Sequence, residues 1–147
     1  MSQISETLSH PRPKRPALVW VITIFYFFSA GFTILSAVLI YLGVIPVTPA
    51  AQHYFSSLTV VDHIITILIV CCNLIATVLL FLFRKQSFYF YSTAFVVSLL
   101  TTFAHAMTKG WLQAVAGAGF MGYVIGIGIP IAVITYSYRL MKKGVLR

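Results

Sequence analysis

The sequence predicts an all-helical integral membrane protein, a bundle of four spans running up, down, up and down with both chain ends on the cytoplasmic side. Three observations carry that expectation. Of the 147 residues, 60% are hydrophobic and only 8% charged, against roughly 45–50% and about 25% in soluble domains. A chain this small has too much surface for its interior to hide so many apolar side chains, so lipid is the expected solvent. Four apolar runs each reach the ~20 residues a helix needs to cross the hydrocarbon core. The basic residues divide very unevenly between the two sets of flanks that those runs define.

The first span, 17–42, contains no Lys, Arg, Asp, Glu or His. It exceeds the ~7–15 residues of a cleavable signal's apolar core and is followed by no A-x-A site before Pro46, so a retained signal anchor is expected. The segment 1–16, with Pro11, Pro13 and Pro16 among Arg12, Lys14 and Arg15, reads as a disordered basic tail. The second span, 58–83, carries Asp62 and His63 near its start; the third, 88–107, carries His105 near its end. The fourth, 112–140, ends beside Arg139 and leaves 141–147 as a second basic tail. Between spans lie an outer loop, 43–57, stiffened by Pro46 and Pro49, and tight turns at 84–87 and 108–111.

Orientation follows from the cations. Arg12, Lys14, Arg15, Arg84, Lys85, Arg139, Lys142, Lys143 and Arg147 fall on one side of the expected bilayer, and Lys109 alone on the other. Basic flanks are retained on the cytoplasmic side, which puts both ends inside and suits a bacterial inner membrane. Aromatic rings agree, with Trp20, Tyr136, Tyr138 and the run 88–91 near the inner boundary, and Tyr41, Tyr54 and Trp111 near the outer one. A net charge of +8 could suit nucleic acid, but these cations flank apolar runs instead of lining a face, so headgroups are the expected partner.

In lipid, helices associate through small and polar residues. Tyr26, Ser29, Thr33 and Ser36 share one face of span one; Asp62, Thr66, Asn73 and Thr77 share one of span two; Tyr91, Ala94, Ser98, Thr101 and His105 share one of span three. Span four carries Ala118, Gly122, Gly126 and Pro130 at intervals of four, a smooth groove for another backbone. Packing within the chain and docking of a second copy or a larger subunit are equally compatible with it. Pro130 should loosen its helix by removing one hydrogen bond.

Candidate chemistry is confined to one end. Asp62, His63 and His105 lie within a few residues of the outer boundary, with His53 in the outer loop. An ionisable group in the membrane is a functional candidate by default. Asp62 and His105 could hold a proton between them; His53, His63, His105 and Asp62 could bind a metal; His63 and His105 could be axial ligands of a haem. A plainer reading carries more weight: at this depth headgroups and water solvate these groups, and Asp62 caps the start of its helix against the helix dipole. Asn73, at mid-membrane, is expected to bond a neighbouring helix, or less favourably to line a transport path. Adjacent Cys71 and Cys72 point about 100° apart, too far for a bridge, and read as small apolar side chains.

No G-x-S-x-G, phosphate loop or metalloprotease spacing is present, and Glu6 and Asp62 are the only acids, so two-carboxylate enzymes are excluded. In outline the chain is similar to small four-span proteins such as toxin-immunity proteins, DoxX-like proteins and accessory subunits of membrane complexes. That likeness covers span count and length alone. The expectation is a non-enzymatic membrane protein without a cofactor, acting through helix association with itself or a larger complex. A proton- or ion-coupled carrier is the first alternative and a haem or metal redox protein the second.

Overall fold

A computed structural model describes residues 16–116 and 118–146, with the side chain of Ala118 left aside. The expected tail 1–16, with Glu6, Arg12, Lys14 and Arg15, falls outside the described residues except for Pro16, as do Gly117 and Arg147. The regular elements among the described residues are all helices: α1 (Ala17–Tyr41), α2 (Pro49–Ser57), α3 (Val60–Phe81), α4 (Gln86–Thr108), α5 (Trp111–Ala114) and α6 (Ala118–Lys142). Four of these, α1, α3, α4 and α6, have the length and apolarity to cross a membrane. At 22 to 25 residues each, they extend about 33–37 Å, enough for a hydrocarbon core of ~30 Å. The protein is a multi-pass membrane protein.

Consecutive long helices are antiparallel neighbours, as their paired side chains show. Between α1 and α3, Tyr41 meets His63 at one end and Trp20 stacks edge-on against Phe81 at the other. Between α3 and α4 the pairs are Asp62 with His105 and Thr77 with Tyr91. Phe88 at the start of α4 lies against Tyr138 near the end of α6.

The ends of the helices depart from the sequence expectation for local reasons. The outer loop contains α2, because Thr48 accepts a hydrogen bond from the Ala51 amide at 3.3 Å and Pro49 occupies the first helical turn, where its missing N–H costs nothing. Helix α3 begins at Val60, two residues later than expected, since Thr59 serves as its N-cap. Span four begins at Ala118 instead of Leu112. Gly110, in the left-handed region at φ 66°, ends the turn after α4 and launches the separate short helix α5. At the other end of α3, Phe83 holds φ 56°, a conformation costing an ordinary residue about 1–2 kcal/mol. Its amide and that of Arg84 bond back to the carbonyls of Leu80 and Leu79, and its ring packs on the core.

That core sits at the end of the bundle where α1 begins and α6 ends. Val19, Ile22 and Tyr26 of α1, Ala76 and Leu80 of α3, Tyr91 of α4, Val133 and Leu140 of α6, and Leu146 form one buried cluster. Inside it the hydroxyl of Thr77 donates to the Asn73 carbonyl at 2.7 Å, which commits its one proton. Tyr91 must therefore be the donor in the 2.8 Å bond between the two hydroxyls. Toward the opposite end the outer faces of α1 and α6 carry exposed Phe28, Phe32 and Leu35, and Phe120, Met121 and Ile125.

Two substitutions rank these contributions. Leu80→Ala should destabilise the bundle by about 2–5 kcal/mol, the range for a buried leucine truncated in a packed core. Tyr91→Phe, which leaves Thr77 still bonded to Asn73, should cost only about 0.6 kcal/mol, the mean for a hydrogen bond between membrane helices. Reversible unfolding in mixed micelles measures both, and the order of the two effects is the expectation at stake.

Candidate functional site

The polar cluster forms where the start of α3 meets the end of α4. A helix start is positive and a helix end negative, and the antiparallel pairing brings the two together with the Asp62 anion on the first and the Lys109 cation on the second. Asp62 is the third residue of α3 and closes a capping box with Thr59. The Thr59 hydroxyl oxygen accepts from the Asp62 amide at 3.4 Å, while Asp62 Oδ2 accepts from the Thr59 amide at 2.6 Å and its hydroxyl at 2.7 Å. Lys109, the C-cap of α4, donates its ammonium to the same Oδ2. His105 Nε2 reaches the other oxygen, Oδ1, at 3.0 Å. One carboxylate thus receives four donors from two helix ends.

This arrangement fixes the histidine tautomer. A carboxylate already paired with Lys109 acts as an acceptor, so Nε2 of neutral His105 carries the proton and Nδ1 is left to accept. Its donor is the Tyr54 hydroxyl on α2, 2.9 Å away. A continuous chain of hydrogen bonds therefore runs from Tyr54 through His105 to Asp62, where Lys109 meets it, and ties the short helix α2 across the tops of α3 and α4. The side chains of His105, Asp62 and Lys109 are only 10, 13 and 17% exposed. Burial, and secondarily the charge on Asp62, holds the Tyr54 hydroxyl protonated above the usual tyrosine range.

Asp62 and His105 are thus brought together, and Asp62 caps its helix. His63, the next residue on, turns toward α1 and bonds the Tyr41 hydroxyl at 3.0 Å. His53 is exposed on α2. His63 and His105 belong to separate networks, and among the described residues no three His, Cys, Asp or Glu side chains gather as they would around a metal ion. Cys71 and Cys72 are free thiols, the first exposed and the second half-buried. Asn73 corrects one expectation: its amide donates to the Ile69 carbonyl of its own helix at 3.0 Å, not to a neighbouring one. In α6, Gly122 and Gly126 are exposed, and a Cβ built on either meets nothing within 4 Å, so no neighbour within the chain exploits their smoothness. Pro130 is half-buried and Ala118 begins the helix.

Two members of the network escaped the sequence reading. Lys109 stands four residues after His105, the spacing that puts both on one face of a helix end, so its pairing with Asp62 left a legible trace. Tyr54 left none, because its position depends on α2 folding back across the bundle.

No known protein family, curated protein or solved structure matches this chain.

Removing one half of a largely buried ion pair leaves the other charge uncompensated. Lys109→Met should therefore destabilise the protein, and adding Asp62→Asn to it should recover part of that loss; the double variant less stable than Lys109→Met alone would contradict the pairing. Alkaline titration has a definite sign as well. A hydroxyl whose folded value is raised contributes stability that is intact below the ordinary tyrosine value near 10 and is lost as pH rises through its folded value. Wild type should lose stability over that window relative to Tyr54→Phe, as followed by thermal melting at stepped pH.

Proposed function

We propose that the protein is a non-enzymatic membrane subunit that works by helix association, with a second copy of itself or within a larger membrane complex, and that both its ends lie in the cytoplasm of a bacterium. The observation that carries this reading is the bare face of α6. Membrane helices recognise each other where small residues let backbones approach. Gly122 and Gly126, four residues apart, are exposed and make no close approach within the chain. Beside that stripe on the helix Ile125 is also exposed, a side chain that a partner helix would pack against. The stated orientation is supported by Arg84, Lys85, Arg139, Lys142 and Lys143 near one end of the spans, against Lys109 at the other.

A second reading has one observation in its favour. The Tyr54–His105–Asp62 chain is a possible proton wire, in which His105 passes a proton from one ring nitrogen to the other. Against it, four donors already hold Asp62, a state suited to a fixed clasp. Proton flux in proteoliposomes unaffected by Asp62→Asn and His105→Ala would remove this alternative.

The first reading is tested by energy transfer between labelled copies reconstituted at falling protein-to-lipid ratio, together with photo-crosslinking from α6 in native membranes. Association, with itself or with one defined membrane partner, is the expected result. Gly122→Leu and Gly126→Leu should weaken it about tenfold or more, the scale of 1.4 kcal/mol, while Ala132→Leu on another face should not. A protein that transfers energy only at the random-collision level and yields no crosslink is not a helix-association subunit. Separately, a carboxyl-terminal reporter fusion active only in the cytoplasm should be active.

A further inference from the structure

We propose that the mid-membrane cavity between α4 and α6 binds a neutral, lipid-soluble ring compound whose head carries carbonyl or hydroxyl oxygens. The inference shares Gly126 with the association reading above but rests on the polar groups of α3 and α4 that face it across the cavity. The cavity has a volume of about 270 Å³ and is floored by Asn73 of α3, with Ser98 and Thr102 of α4 on one wall and Tyr123 and Gly126 of α6 on the other. That volume lies just below the ~300 Å³ at which small-molecule sites begin and equals about nine water molecules at ~30 Å³ each. It suits a single ring and is far too large for a bare ion.

The lining chemistry selects the class. None of the lining residues is Lys, Arg, Asp, Glu or His, so a charged head would lose its hydration there without a counter-charge. The polar groups that do line it have bonding capacity to spare. Threonines in the spanning helices routinely return their hydroxyl proton to the carbonyl four residues earlier, as Thr23, Thr33, Thr66, Thr77, Thr108 and Thr135 all do. Among the described residues, Ser98 and Thr102 make no such bond, nor do Thr93 and Thr101 of the same helix, and of these four it is Ser98 and Thr102, four apart on one face of α4, that line the cavity. Asn73 engages one N–H with Ile69, leaving its second N–H and its carbonyl. Pro130 has no N–H to give the Gly126 carbonyl. In hydrocarbon each such group gains from a polar partner that water cannot readily supply.

Shape points the same way. Trp111 and Tyr123 line one end, their rings edge to face at 4.6 Å, with Phe95 alongside. These offer a flat ring aromatic faces and edges, the offset and perpendicular contacts that rings prefer. Leu99 and Gly126 in the lining are exposed, which gives a ligand a lateral route from the lipid. Donors from α4 answer a ring carbonyl, and the Gly126 carbonyl answers a ring hydroxyl, so the oxidised and reduced forms of a quinone-type ring share the required chemistry.

Trp111 makes the test direct. With Trp20→Phe as background, the intrinsic fluorescence of the full chain in phosphatidylcholine nanodiscs reports on this cavity alone. A decyl-substituted benzoquinone should quench it saturably, and decylbenzene, which has the tail and ring without the oxygens, should not displace it. Ser98→Ala and Thr102→Val should each raise the half-saturating concentration by about tenfold, the scale of one lost hydrogen bond. Thr102→Ser, which keeps the hydroxyl, should bind within about threefold of the parent; with melting temperatures unchanged, that contrast separates binding from folding. Quenching that rises linearly with quinone, is the same in all variants, or is relieved equally by decylbenzene overturns the proposal.

Discussion

A polypeptide in hydrocarbon has no water to satisfy its amides and carbonyls, so each backbone group must find its partner within the chain. That requirement governs everything else in this molecule. It makes the four long elements helical, and it relieves their apolar side chains of any need to be buried: Phe28 and Phe32 are 78 and 72% exposed and are in their preferred solvent. It also moves the burden of specificity onto the few polar groups. Where apolar contact distinguishes little between one helix pairing and another, a hydrogen bond or ion pair in the right place decides the neighbour.

The bundle accordingly has two different ends. At the end where α1 begins and α6 ends, apolar packing and the Thr77–Tyr91 bond hold the helices together. At the opposite end the carboxylate of Asp62 replaces packing with charge, drawing the start of α3, the end of α4 and the amphipathic α2 to a single point. The placement is economical, because the anion meets a positive helix start and the Lys109 cation a negative helix end. An ionisable cluster near a membrane boundary invites a catalytic or transport reading; the four donors that Asp62 accepts support the reading as a clasp that we propose. The more suggestive feature lies deeper, where Ser98, Thr102 and Asn73 keep unspent hydrogen-bonding capacity in a cavity that contains no charge.

Much of this was legible in the sequence. Apolar runs of the right length located the spans, and Asp62 and His105 stood at matching depth on adjacent antiparallel elements, so their meeting followed from topology. Two local signals were present and went unread: Thr59 and Asp62, three apart, make the capping box that starts α3, and Thr48-Pro49 starts α2 within what was expected to be loop. What the sequence concealed was the result of folding back in three dimensions. Nothing local brings Tyr54 to His105, and the four-residue spacing in α6 could not say whether Gly122 and Gly126 would meet a helix of this chain. Asn73 was misjudged because a mid-membrane amide can satisfy itself on its own helix, as it does on Ile69.

The central claim is that lipid surrounds α1, α3, α4 and α6 and separates α2 from the turn between α3 and α4. Single cysteines at Gln52, Lys85 and Ile75, in a background with Cys71 and Cys72 changed to alanine, test it in sealed vesicles with a membrane-impermeant maleimide. The account predicts that the positions at Gln52 and Lys85 react from opposite faces of the membrane and that Ile75, exposed in mid-helix, reacts from neither. Labelling of Gln52 and Lys85 from the same face, or ready labelling at Ile75, would contradict it.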